Sequence, residues 1–107
     1  MRRYQMKRTI VVAVAFIFVA LMTVVAQAEV KGEQIFKQKC AMCHVVNGKG
    51  GKIGPELTKI ASSMKEKEIM MQLENPKKRN PSTSMPSFKS LPKADLNALI
   101  GYLKTLK

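Results

Sequence analysis

The sequence is poor in metal-binding side chains, with one histidine, two cysteines and no tryptophan in 107 residues. A structural zinc site needs four ligands, and Cys40, Cys43 and His44 exhaust the cysteines and histidines. Coordination of one metal by two imidazoles of the same molecule is excluded for the same reason. No alternation of apolar and polar residues predicts a strand, and no segment repeats. A thioredoxin-type redox pair, which needs a βαβ setting, therefore lacks its context. Acidic residues are scarce as well, 7 against 19 lysines and arginines, for a formal charge of +12.

That charge invites a nucleic-acid reading, which the N-terminus undercuts. Arg2, Arg3, Lys7 and Arg8 precede an apolar run from Ile10 to Val25, and Ala26-Gln27-Ala28 follows it. Basic start, apolar middle and small-x-small end are the order of a secretory signal peptide. Residues 1–28 are expected to be removed after Ala28, leaving residues 29–107 as one exported, periplasmic domain. The run of 16 residues slightly exceeds the usual signal core of up to about 15 and falls short of the ~20 of a membrane span. An uncleaved anchor on the outer face of the cytoplasmic membrane is the alternative. A buried core helix fits poorly, because the run has no polar face. Arg2-Arg3 hints at a twin-arginine signal, but Tyr4-Gln5-Met6 matches that pattern weakly, so general secretion is expected. Without residues 1–28 the chain keeps 15 basic against 7 acidic residues. The balance predicts attraction to an acidic protein or an anionic membrane face rather than to nucleic acid.

Gly32 to His44 predicts a short helix running into the cysteines, with Ile35, Phe36 and Cys40 on one side. Val45 to Gly54 holds four glycines and predicts a loop, and Glu56 to Ser62 a turn or two of helix. Lys65 to Glu74 predicts a second helix, ended by Asn75-Pro76. Pro76 to Pro92 carries four prolines, four serines and a threonine, a composition that predicts a long extended loop. A loop of that size in so small a domain is usually functional, and it needs something to wrap around. The last helix is the clearest, with Pro92 at its start, Asp95 in its first turn, and Leu96, Leu99, Ile100, Leu103 and Leu106 forming one apolar face. The fold class is all-α.

Cys40-Ala41-Met42-Cys43-His44 has the C-x-x-C-H spacing of covalent haem attachment. Two thiols at that spacing can add to the two vinyl groups of one porphyrin, and the adjacent imidazole can reach its iron. A disulfide between Cys40 and Cys43 would close too small a loop to stabilise much. One covalent haem c also suits the size of the chain. A domain this small buries limited apolar surface, and a porphyrin supplies an apolar body for short helices to pack on. With no second imidazole, the sixth ligand must come from elsewhere, and methionine is the obvious soft donor. Met42 lies between the cysteines, too close to reach the opposite face. Met64, Met70 and Met71 lie in or beside the second helix, where core filling is the plainer role. Met85 stands apart, in the proline-rich loop directly before Pro86. His44 and Met85 are thus the expected metal ligands, and no catalytic residue is expected.

These features together resemble a small monohaem class I cytochrome c of the bacterial electron-carrier type, across residues 31–106. Gly32 and Phe36 resemble the family's contact residues on the N-terminal helix, and Leu99 and Tyr102 their partners on the C-terminal helix. Ser84-Met85-Pro86 resembles the distal ligand segment. Gly54-Pro55 resembles the loop whose proline carbonyl accepts a hydrogen bond from the proximal histidine, which would orient the ring and raise its basicity. The lack of tryptophan and the Leu91-Pro92 start of the last helix depart from the family's pattern, but neither removes a ligand. The resemblance implies three to four short helices around one haem, with the terminal helices packed crosswise. It implies a monomeric one-electron carrier rather than an enzyme, docking on redox proteins with acidic surfaces. Lys39, Lys49, Lys52, Lys77, Lys78, Arg79 and Lys89 are the candidate docking cations. Membrane contact would be transient unless residues 1–28 are retained, which would make a membrane-anchored redox subunit. A haem sensor or peroxidase-like protein is the reading if Met85 leaves the iron open.

Overall fold

The computed structural model describes residues 1–107, apart from the side chain of Val25. Its elements in chain order are α1 (Arg2–Lys39), β1 (Val45–Val46), β2 (Lys49–Gly50), α2 (Ile60–Ser63), α3 (Glu66–Glu74), α4 (Pro76–Arg79) and α5 (Lys93–Lys104). The fold is all-α, with the N- and C-terminal helices packed crosswise, in the manner of cytochrome c.

The helix expected from Gly32 does not begin there. α1 is one unbroken helix that takes in the apolar segment. The predicted run ends at Val25, whose side chain lies outside the described residues. Nothing between Arg2 and Lys39 breaks a helix, since the stretch holds no proline and its one glycine, Gly32, is tolerated at a cost of ~1 kcal/mol. Every described residue from Met1 to Lys31 is exposed, and burial begins at Gly32. By length and composition α1 can cross a membrane. It ends at Lys39, before the cysteines rather than at His44.

The core sits where the last two turns of α1 meet α5. Ile35 and Phe36 from α1, with Cys40 just beyond its end, pack against Leu96, Leu99, Ile100 and Leu103 from α5, with Ile69 and Leu73 of α3 in the same cluster. Gly32 is required at the crossing. A Cβ there would run into the carbonyl oxygen of Ala98 and come 2.8 Å from Cβ of Tyr102. One turn on, the Phe36 and Tyr102 rings pack tilted, with centroids 5.4 Å apart, a favoured aromatic geometry. Lys31 and Asp95 form an ion pair at 2.6 Å across the same crossing. Leu99 is completely buried. Leu99→Ala is expected to cost about 2–5 kcal/mol, read as a lowered denaturation midpoint with an unchanged denaturant slope.

Other boundaries differ from the sequence reading as well: α2 begins at Ile60 rather than Glu56, and three more differ for a local reason. Val45–Val46 and Lys49–Gly50 pair as a two-residue antiparallel ladder where only a loop was expected. Asn47 and Gly48 between them both have positive φ, 51° and 76°, which is the turn that joins adjacent antiparallel strands. Asn75-Pro76 ends α3, but Pro76 then starts the single turn α4, because proline's fixed φ suits a first helical position. The extended loop therefore begins at Asn80. Pro92 caps α5 instead of opening it, and Leu106 is buried beyond the helix end. The backbone N–H of Ala61 donates to the Leu106 carbonyl at 2.8 Å, tying the C-terminus to α2. α3 starts cleanly, with the Glu68 carboxylate accepting the Lys65 backbone N–H at 2.7 Å.

Candidate functional site

The chain leaves α1 into a tight turn that presents Cys40, Cys43 and His44 together. The backbone N–H groups of Cys43 and His44 both donate to the Cys40 carbonyl, at 3.1 and 2.9 Å. Both thiols are unpaired. Cys40 is buried and Cys43 half-buried. Burial, helped by the nearby Cys43, pushes the Cys40 thiol up to about 11, so it is a neutral thiol at physiological pH.

The glycine loop folds back over this turn. The Gly51 N–H donates to the Ala41 carbonyl at 2.8 Å, and the Gly54 N–H to the Cys43 carbonyl at 2.7 Å. Gly54 thereby lies flat against the imidazole, and a Cβ at that position would stand 2.8 Å from His44 Nδ1. His44 Nδ1 lies 2.8 Å from the Pro55 carbonyl oxygen. A carbonyl can only accept, so Nδ1 is the donor, and in the neutral ring Nε2 is the nitrogen with the lone pair. Val46, which precedes the loop, is buried, and Thr58 beyond it receives the Asn47 N–H at 3.0 Å while donating to Glu56. The loop is thus pinned at both ends.

Met85 comes from the opposite part of the chain, on the segment after α4. Its backbone N–H donates to Thr83 Oγ1 at 3.2 Å. The Phe88 N–H donates to the Leu73 carbonyl at 2.8 Å, and the Ser87 hydroxyl to the Glu74 carbonyl. These bonds seat the loop on the C-terminal turn of α3. Met85 is half-buried against the core, as are Leu57, Ile60, Met64, Met70, Phe88 and Leu91.

This site fits a haem by the chemistry of its donors. Two unpaired thiols adjoin an imidazole that presents one lone pair. A set of half-buried apolar side chains from α2, α3 and two loops could close on a flat apolar body. Cys40 and Cys43 could hold such a group, and His44 and Met85 could bind its iron. Among the described residues no group of three or more His, Cys, Asp or Glu could hold a bare metal ion.

A small helical domain with crossed terminal helices and this turn defines a recognisable class of redox protein. The chain belongs to the cytochrome c family: the family model described as cytochrome c matches residues 29–107. It is 41% identical over 96 residues to cytochrome c of Gibberella zeae, covering 69% of this chain and 90% of that protein. Cytochrome c of Arabidopsis thaliana is 38% identical over 96 residues, covering 69% and 85%. A further match, 29% identical over 86 residues, covers 72% of this chain and a quarter of cytochrome c oxidase subunit 2 of Alkalihalophilus pseudofirmus. Members of the family carry electrons, are not catalysts, typically hold one covalent haem c, and work by meeting redox partners.

One residue escaped the sequence reading. Gln72 is half-buried on α3, and its Nε2 lies 3.8 Å from Met85 Sδ. The signal available was its position three residues after Ile69 and one before Leu73, a polar residue beside an apolar stripe.

Proposed function

We propose that the chain is an exported carrier of the small bacterial type, holding one haem c through Cys40 and Cys43 with His44 and Met85 as axial ligands. The observation that carries this reading is the His44–Pro55 hydrogen bond. It makes Nδ1 the donor nitrogen and holds the ring in place, next in sequence to two thiols that form no disulfide. Bound haem would supply a one-electron iron couple, which His/Met ligation sets at high potential. The protein's part is to hold the imidazole and the thioether at fixed positions, so that little rearranges when the charge changes. Gly54 and Pro55 do this through backbone groups, and the α3-anchored loop through the Phe88 N–H and the short Ser87 and Thr83 hydroxyls. Export after Ala28 is supported by the order of charge, apolar run and small residues. Native mass spectrometry of the purified protein tests the reading in one measurement. A single bound haem and a start at Glu29 are expected, and a haem-free mass from a host competent in attachment would sink it.

A second reading keeps α1. The helix runs without interruption from Arg2 into the core, and the described side chains of its N-terminal part are exposed. A retained α1 would make a membrane-anchored redox subunit, and an intact N-terminus on the membrane-extracted protein would decide for it.

The proposed docking cations include a compact group. Lys77, Lys78 and Arg79 occupy the single turn α4 and are all exposed, a few residues ahead of Met85. Steering by such a group weakens with salt, because the screening length falls from ~10 Å at 0.1 M to ~3 Å at 1 M. The rate of reduction by an acidic protein partner is expected to drop at least tenfold over that range. A rate independent of ionic strength would remove the steering role.

A further inference from the structure

The sequence holds four asparagines, Asn47, Asn75, Asn80 and Asn97, and three of them are chemically protected. Conversion of asparagine to aspartate through a cyclic imide needs the backbone nitrogen of the next residue to attack the side-chain carbonyl carbon. Asn75 and Asn80 each precede a proline, whose nitrogen has no hydrogen to lose. Asn97 lies inside α5, where the next N–H belongs to the helix's own hydrogen-bond ladder. Asn47 differs on every count. The residue after it is Gly48, with no side chain to shield the nitrogen, and both residues are exposed to water. The Gly48 N–H makes no hydrogen bond among the described residues. Asn47 itself is held at a φ of 51°, which few residues other than glycine adopt. Only the pairs Val45–Gly50 and Val46–Lys49 close the hairpin, and Lys49 and Gly50 are both exposed. Opening the turn far enough for the attack therefore costs little.

We propose that Asn47 is a site of spontaneous deamidation whose isoaspartyl product releases the glycine loop from the Cys40–His44 turn. The Gly48 nitrogen forms a bond to Asn47 Cγ, the Cγ–Nδ2 bond breaks, and the nitrogen's proton leaves with ammonia. Water then opens the five-membered imide at one of its two carbonyls. One opening gives aspartate and the other isoaspartate, in which the main chain runs through Cβ. The net change is water in and ammonia out, with no oxidant or reductant. Isoaspartate puts one more carbon atom into a turn that joins its strands with two residues, so the Val46–Lys49 pair loses its register. The Asn47 N–H bond to Thr58 Oγ1, at 3.0 Å, goes with it. Just beyond the hairpin stand Gly51 and Gly54, whose N–H groups hold the loop to the carbonyls of Ala41 and Cys43. Loss of the hairpin frees that end of the loop. The change concerns the chain's own backbone and does not depend on Met85 being an iron ligand.

The test ages the purified protein in neutral buffer and follows its peptides by mass spectrometry, with fragmentation that separates isoaspartate from aspartate. The peptide holding Asn47 is expected to gain the mass of NH2 replaced by OH, as a mixture of the two products. Peptides holding Asn75, Asn80 and Asn97 should keep their mass. Amide hydrogen exchange at Gly51 and Gly54 is expected to quicken about three- to tenfold in the isoaspartyl fraction, the worth of one hydrogen bond. Asn47→Asp supplies the carboxylate without the extra backbone atom, and its exchange should match that of the fresh protein. No gain at Asn47, or an equal gain at all four asparagines, overturns the site. A gain as aspartate alone, or one that leaves Gly51 and Gly54 unchanged, overturns the release of the loop. An Asn47→Asp variant that exchanges as fast as the isoaspartyl fraction overturns the backbone cause, since charge alone would then suffice.

Discussion

Replacing Met85 by alanine is expected to abolish the sulfur-to-iron charge-transfer band and to lower the reduction potential on the order of 100 mV or more. Axial ligands as a group span ~0.8 V in haem proteins, so a change of ligand identity outweighs any substitution that alters only the surroundings. The haem should stay attached, since Cys40, Cys43 and His44 lie on the opposite segment and keep their own bonds. The half-buried side chain contributes modestly to packing, so folding should survive. Cyanide should then bind the oxidised protein readily, because alanine offers the iron nothing. A band and potential that match the parent protein would exclude Met85. Met64 would then become the next candidate: it is half-buried in the same apolar set, but its sulfur already receives the Arg79 guanidinium at 3.6 Å.

Gly32→Ala is expected to lower the thermal midpoint of the haem-bearing protein by roughly 8–16 °C, through a loss of about 2 kcal/mol. Two effects oppose each other. Alanine is the better helix former by ~1 kcal/mol, which alone would stabilise α1. The added Cβ, however, meets the Ala98 carbonyl and Tyr102 Cβ. A backbone carbonyl cannot rotate aside, so α1 and α5 must separate, loosening Leu99 and the Phe36–Tyr102 pair together. Packing wins because one methyl opens the whole crossing. Gly101 provides the control, for it lies on α5 with nothing within 4 Å of a new Cβ. Gly101→Ala should therefore raise the midpoint, by up to ~1 kcal/mol in stability. Opposite signs for two identical substitutions, followed by circular dichroism, test the close approach; a gain at both positions would refute it.

What was legible beforehand had a local cause. The thiols and the imidazole of Cys40, Cys43 and His44 are neighbours in the chain, so their spacing alone limits what they can bind together. α5 announced itself through five apolar residues at helical spacing, and four of these lie within the helix as buried residues. Turn-scale features were harder. The Asn47-Gly48 turn and the Pro76 start of α4 are weak signals whose outcome was decided by neighbours. Val46 is buried, which holds the ladder, and Pro76 is buried, which holds the turn.

By itself, then, the sequence determined the helical class, and it set as expectations the attachment chemistry, an export or anchor segment and the short list of methionines, all from adjacent residues or simple periodicity. The tertiary structure decided which atoms meet across the chain. His44 finds the Pro55 carbonyl 11 residues on, Met85 sits against Gln72 13 residues away, and Gly32 lies under Ala98 from the other end of the domain. Each of these depends on where a backbone carbonyl or an amide points after the core has closed. No local rule specifies that direction, because it is settled by the packing of α1, α3 and α5 as a whole.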